Sequence, residues 1–232
     1  MAQKKNLAST YGDPVAAVIG DVVGSRDHAD RPDLHVRLVG RLAELEELLR
    51  AEERAGGEPM VVSPPRVTVG DEYQAIFTTL GAALRATRWL RISLLPDVDV
   101  RHGIGWGPVQ VLEDEPRVED GPGWWAAREA IDEVKQLAAK PATRHLRTAF
   151  RRASGSDGPD PNPVNAALMC RDQMVGSVSE RSLRLLRGTV DGRTQTELAD
   201  DEGISASAVS QRVRRDGLAV IVTADELLRR AQ

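Results

Sequence analysis

Aromatic residues are scarce in this chain, with two Phe, two Tyr and four Trp among 232 residues, so a core has to be built from Val, Leu, Ile and Ala. Cysteine is nearly absent. The single Cys170 excludes an internal disulfide and a cysteine-based zinc cluster, and within Ala-Ala-Leu-Met-Cys it reads as a small apolar core residue. The four histidines, His28, His35, His102 and His145, show no pair at i, i+4 spacing and are assigned no metal. No apolar run approaches the roughly 20 residues that cross a bilayer, and no apolar stretch follows Lys4-Lys5 to make a signal peptide. A cytoplasmic protein with no membrane partner is therefore expected. Neither sign of charge dominates: 31 basic against 35 acidic residues leave a net −4. There is no global attraction to nucleic acid, so any DNA contact must come from a local basic surface.

What is present is ordinary for a globular protein, 41% hydrophobic and 28% charged, with room for one domain of medium size and a small one. Val15 to Ile19 reads as a buried strand. Leu38, Leu42, Leu45 and Leu49 fall on one face of a helix from Leu34 to about Glu53. After Gly56-Gly57-Glu58-Pro59, β-branched runs at 60–63, 66–70 and 73–77 read as strands, the last two joined by a Gly70-Asp71 turn. A helix over Leu80 to about Leu95, a glycine-bearing strand over 97–107 and a short strand over 109–112 follow. Beyond a charged loop, a helix from Trp124 to Lys140 is stopped by Pro141, and 145–150 supplies one more strand. The expected fold class is α+β. A ferredoxin-like (palm) βαββαβ sheet with helices on one face occupies 12–153, a linker or loop 154–163, and a helical connector with a small all-α unit 164–232. Adjacent Trp124 and Trp125 read as one core anchor and one partly exposed side chain.

The all-α unit carries its own pattern. Ser179 caps a helix with Leu183, Leu185 and Leu186 on its apolar face, ending at Gly188. Thr194 to about Glu202 forms a second helix, Gly203 the turn, and Ser205 caps a third helix to about Asp216. Ala199, Ile204, Val209 and Val213 are spaced to pack this pair on the first helix. The arrangement is a helix-turn-helix, in which the third helix enters the major groove of DNA. Ser207, Ser210, Gln211 and Arg214 then meet base edges or phosphates, with Arg212 and Arg215 nearer the backbone. Asp200, Asp201 and Glu202 oppose DNA and leave the arginine cluster to supply the attraction. The alternative use of such a unit is protein binding.

Asp21 and Asp71 each follow a strand-like apolar run, and two carboxylates held at strand ends can share a divalent cation that grips phosphate oxygens. Because each also follows a glycine, turn formation is their alternative role.

Four segments carry a resemblance: Ile-Gly-Asp-Val-Val-Gly-Ser around Asp21, Val-Gly-Asp-Glu-Tyr-Gln-Ala-Ile-Phe around Asp71, Val-Arg-His-Gly-Ile-Gly-Trp-Gly-Pro-Val around Gly105, and Gly-Pro-Gly-Trp-Trp-Ala-Ala-Arg ending at Arg128. In this order they resemble motifs of the class III nucleotidyl cyclases, over roughly residues 12–150. The C-terminal unit resembles the DNA-reading region of sigma-type factors, and the whole chain resembles the SatD family. The cyclase resemblance implies that Asp21 and Asp71 hold Mg²⁺ or Mn²⁺, that Arg128 steadies the phosphoryl group in transfer, and that two chains pair head to tail. The chain departs from the cyclase pattern at Trp124, where an asparagine is expected, and at Val67, where a lysine is expected, with Arg66 offset by one. Near the second base-reading position stand Arg117, Glu119 and Asp120. Asp71-Glu72 also resembles the diguanylate cyclase signature, with Val69 replacing its first glycine. Metal and phosphate ligands without orienting residues imply binding of a nucleotide without turnover. The resulting expectation is a DNA-binding transcriptional regulator that forms a homodimer and whose palm binds a nucleotide with Mg²⁺. The alternatives are an active nucleotide cyclase or nucleotidyltransferase and a non-catalytic interaction module.

Overall fold

The computed structural model describes residues 12–115 and 117–230. Among these described residues, seven strands and eight helices follow one another as β1 (Pro14–Val22), α1 (Arg31–Arg54), β2 (Val61–Val69), β3 (Glu72–Phe77), α2 (Leu80–Leu94), β4 (Val100–Pro108), β5 (Gln110–Asp114), β6 (Arg117–Asp120), α3 (Pro122–Ala138), β7 (Thr148–Arg152), α4 (Pro161–Ser177), α5 (Glu180–Val190), α6 (Gln195–Glu202), α7 (Ala206–Arg215) and α8 (Leu218–Leu228). The fold is α+β. Five strands form one mixed sheet in the order β2-β3-β1-β4-β7, antiparallel except for the β4–β7 pair. The segment expected to be a charged loop instead contains β6, which pairs with β5 as a separate hairpin.

Period-two alternation along β1 divides the core. Ala16, Val18 and Val22 face α1 and α2, joining Leu38, Leu42, Leu45, Leu84 and Leu90 in the main core. Ala17 and Ile19 face the other way and meet Trp124, Ala127 and Ile131 of α3. Helices thus lie on both faces of the sheet, which corrects the one-faced arrangement expected from the element order. The reason lies in β4, where Gly103, Gly105 and Gly107 share one face. A Cβ on Gly103 would stand 2.3 Å from the Ala127 carbonyl oxygen, and one on Gly105 2.1 Å from that of Gly123. Only bare backbone lets α3 sit this close.

The C-terminal half is tied to this layered core. Val164 and Leu168 of α4 and Leu228 of α8 enter the main core, while Ile92 of α2 packs with Leu185, Leu186, Leu198, Val209 and Ile221 of the helical unit. The helix α8 follows Gly217, which stands in the left-handed region at φ 67°, and has no side-chain cap. The apolar residues of α4 are not its whole inner face: Arg171 and Asp172 are buried, and Cys170 is exposed. The core position expected for Cys170 is corrected accordingly, because α4 turns its polar pair toward charges donated by other elements.

Those charges form a buried network. Asp172 Oδ1 accepts from Arg91 (3.0 Å) and Arg171 (3.2 Å), and its Oδ2 accepts from the backbone N–H groups of Arg147 and Thr148, each at 2.7 Å. Arg91 and Arg147 also clamp Asp99 at 2.9 and 2.7 Å. Arg171 and Arg88 reach Asp225 of α8, each at 3.3 Å. Four guanidinium groups and three carboxylates therefore join α2, the entry to β4, β7, α4 and α8.

Beside this network lies a polar row under the helices. Tyr73 and His102 both flank Gly20 in register, with ring centroids 5.9 Å apart. A side chain at Gly20 would collide with the tyrosine ring. His102 is fully buried, and neither ring nitrogen has a hydrogen-bond partner among the described residues. Burial, aided by Arg171 and Arg91, pushes its pKa down to about 3. The unfolded chain, with an ordinary histidine, binds the extra proton between pH 6.5 and 3. Stability is therefore expected to fall by roughly 1 kcal/mol per pH unit on acidification through that window. Urea denaturation of wild type and His102→Gln at several pH values checks this, the slope being shallower in the variant.

Candidate functional site

The strand β1 ends by presenting Asp21 on the α3 side of the sheet, and the Gly70-Asp71 turn joining β2 to β3 comes alongside. The two aspartates line one open cleft of about 590 Å³, together with Val22, Gly24, Ser25, Arg26, Val69, Glu72, Arg101 and Lys135. That volume suits a nucleotide-sized ligand. Gly24 adopts a left-handed conformation, φ 69°, that turns the chain from β1 into a short 3-10 segment at Ser25–Asp27.

The cleft is a mixed field of charge. Asp21 is directly in register with Arg101 on β4, whose Nε donates to Oδ1 at 2.9 Å, and Lys135 Nζ on α3 lies 2.8 Å from Oδ2. Asp71 Oδ2 accepts the Val22 backbone N–H at 3.3 Å. Glu72 is taken by Arg128 through two bonds of 2.8 Å. Arg128 holds the Glu72 carboxyl below its ordinary range, and Glu72 in turn raises the Arg128 guanidinium. Arg128 is thus bonded to a residue that lines the cleft, Glu72, and is not itself among the lining residues.

Sequence reasoning brought Asp21 and Asp71 to this region, and named Glu72 only through the diguanylate cyclase resemblance, but did not find Arg26, Arg101 or Lys135. A signal existed for two of them. Arg101 has the parity of Gly103, Gly105 and Gly107, so it shares their face. Lys135 follows Arg128 by two helical turns, placing both along one side of α3. Arg117, Glu119 and Asp120 lie on β6, away from the cleft. There Glu119 pairs with Arg117 at 2.7 Å, and Asp120 accepts the Trp125 indole N–H at 2.9 Å.

A pair of divalent cations fits this donor set poorly. Among the described residues no group of three or more His, Cys, Asp or Glu side chains is placed to hold a metal. Each Asp21 oxygen already faces a protein cation. Unit charges about 4 Å apart interact by about 4 kcal/mol in a surface-like dielectric, and a divalent ion doubles that repulsion against each of Arg101 and Lys135.

The helical unit has distinct geometry. Thr194 and Glu197 form a reciprocal capping box at the start of α6, Gly203 closes it in the left-handed region at φ 62°, and the Ser205 side chain caps α7. Thr194→Ala is expected to cost about 1 kcal/mol in urea denaturation, since the Glu197 backbone N–H loses the Thr194 hydroxyl as its acceptor. On α7, Val209 is buried while Ser207, Gln211 and Arg214 are exposed and Ser210 is half-buried. Arg212 reaches Ser182 and Asp216, and Arg215 pairs with Asp216 at 2.8 Å. Arg214 has no ion-pair partner among the described residues. On α6, Asp201 is taken by Arg193, and Glu202 by Arg181 and Arg184.

No helix among the described residues is long and apolar enough to cross a membrane. The SatD family profile matches residues 15–228. No curated protein matches. A crystal structure of the guanylyl cyclase Cya2 is similar at a TM-score of 0.34 and 16% identity, over 53% of this chain and 72% of that one.

Proposed function

As the chain belongs to the SatD family, whose profile spans nearly all of it, we propose that it is a cytoplasmic DNA-binding regulator whose palm cleft takes a nucleotide polyphosphate. The observation that carries the DNA half is the division of α7 into a buried Val209 side and an open side bearing Ser207, Gln211 and Arg214. The open side is polar and slim and carries in its last turn Arg214, which has no ion-pair partner among the described residues, and this suits entry into a major groove. Arg212 and Arg215, partly neutralised by Asp216, serve the phosphate backbone, and Ser210 flanks the groove contact. A homodimer reading two half-sites fits this use.

Support for the ligand half comes from the cleft, where Arg26, Arg101 and Lys135 offer cationic donors beside Asp21 and Asp71. Its neighbour in the chain supports coupling. Val23, next to the cleft, donates to the Asp99 carbonyl at 2.9 Å. The α2–β4 connection containing Asp99 also seats α5, since Arg187 donates to the carbonyls of Ile92 and Leu95.

The test is fluorescence anisotropy with fragments recovered by selection from random duplex DNA. Salt-dependent binding to a recurring sequence is expected. Arg214→Ala should weaken it about tenfold or more. Binding with no sequence preference, unaffected by Arg214→Ala, would remove the proposal and leave the helical unit as a protein-binding module.

A further inference from the structure

We propose that the palm cleft is a phosphate site that works without a divalent cation, with Lys135 and Arg101 as the phosphate ligands and Asp21 as the residue that positions them. The inference rests on the reading that the cleft takes a nucleotide polyphosphate, and adds how the phosphates are held.

Asp21 is 8% exposed, and its two oxygens are engaged by Arg101 Nε at 2.9 Å and Lys135 Nζ at 2.8 Å. A carboxylate gripped by two cations from different elements is charge-satisfied and fixes both in place. Neither cation is used up. A lysine ammonium carries three N–H donors and spends one on Asp21, and the Arg101 guanidinium keeps donors beyond its Nε and Nη2 contacts. Both groups line the cleft, and exposed Arg26 lines it from the β1–α1 loop. Three cations around one cavity, two of them held by a nearly buried acid, form a site suited to a chain of phosphates.

The carboxylates are distributed to match. Asp21 is occupied by cations and Glu72 by Arg128. Among the described residues Asp71 receives only the Val22 N–H, on Oδ2, so its other oxygen is placed to accept from a hydroxyl or amine of the same ligand. The expected ligand class is therefore a nucleoside di- or triphosphate, bound by its phosphates at Arg26, Arg101 and Lys135 and by a sugar or base donor at Asp71.

Calorimetric titration of the full chain with pyrophosphate, and separately with nucleoside triphosphates, in EDTA and in Mg²⁺, tests this. Binding in EDTA is expected, weakened tenfold or more by Lys135→Met and largely retained by Lys135→Arg, which keeps a cation beside Asp21, and a cooperative thermal transition of each ligand-free variant shows that it is folded. Binding that appears only with Mg²⁺ would overturn metal independence while leaving the nucleotide reading standing. Binding in EDTA that Lys135→Met leaves intact would overturn the assignment of the lysine. No binding of any probe in either condition would overturn both the inference and the nucleotide reading on which it rests.

Discussion

Asp172→Ala is expected to destabilise the protein by about 3–5 kcal/mol, a large share of the stability of an ordinary domain. Asp172 is fully buried and accepts four hydrogen bonds, from the side chains of Arg91 and Arg171 and from the backbone N–H groups of Arg147 and Thr148. Its removal strands two guanidinium groups in a poorly solvated interior and leaves two strand-end donors without their acceptor. Arg91 keeps Asp99, and Arg171 keeps Asp225, so the loss is partial. Urea denaturation at neutral pH reads the effect as a lowered midpoint. Cys170→Ala, two positions away on the exposed side of α4, should change the midpoint by less than about 0.5 kcal/mol. Equal effects at the two positions would mean that the network contributes nothing specific. Because the network joins α2, α4 and α8, its loss should also loosen the helical unit from the sheet, visible as faster amide exchange in α8.

Gly105→Ala is expected to cost about 3 kcal/mol. The added methyl would stand 2.1 Å from the Gly123 carbonyl oxygen and 2.3 Å from the Ala127 nitrogen. Both atoms belong to helix backbone, so no side chain can swing aside and α3 must move as a body. The consequence reaches the cleft, since α3 also carries Lys135 and Arg128. Gly40→Ala gives the contrast: it lies within α1 with nothing near its added Cβ, and should stabilise by about 0.5–1 kcal/mol through helix propensity. A pair of urea curves decides both, and similar midpoints for the two variants would show that α3 does not need the bare glycine surface.

Much of the architecture was legible from local pattern. The leucine spacing of α1 and the continuous apolar run of β1 appear in the structure at the expected residues, because burial of one helix face imposes the helical period while burial on both sheet faces removes alternation. Trp124 is nearly buried and Trp125 half exposed, with its indole tied to Asp120. The capped succession of α5, α6 and α7 was equally visible, since Ser179, Thr194, Ser205 and Gly203 each satisfy or end a local backbone pattern. On α4 the pattern misled. Met169 and Cys170 carry the hydropathy of a core, yet both are exposed, while Arg171 and Asp172 are buried. Hydropathy assigns a face as though every partner were apolar, and here the partners are Arg91, Thr148 and Asp225.

The sequence by itself determined the element types apart from β6 and α8, the two strand-end aspartates and the polar open side of α7, because these depend on interactions within a few residues. The tertiary structure decided which face of β4 receives α3, what covers α4, and which cations meet Asp21. Lys135 and Asp21 are more than a hundred positions apart, and only the packing of α3 onto the glycine face of β4 brings them to 2.8 Å. Long-range charge pairing of this kind leaves no periodic trace in the chain, since it is set by register and helix placement together.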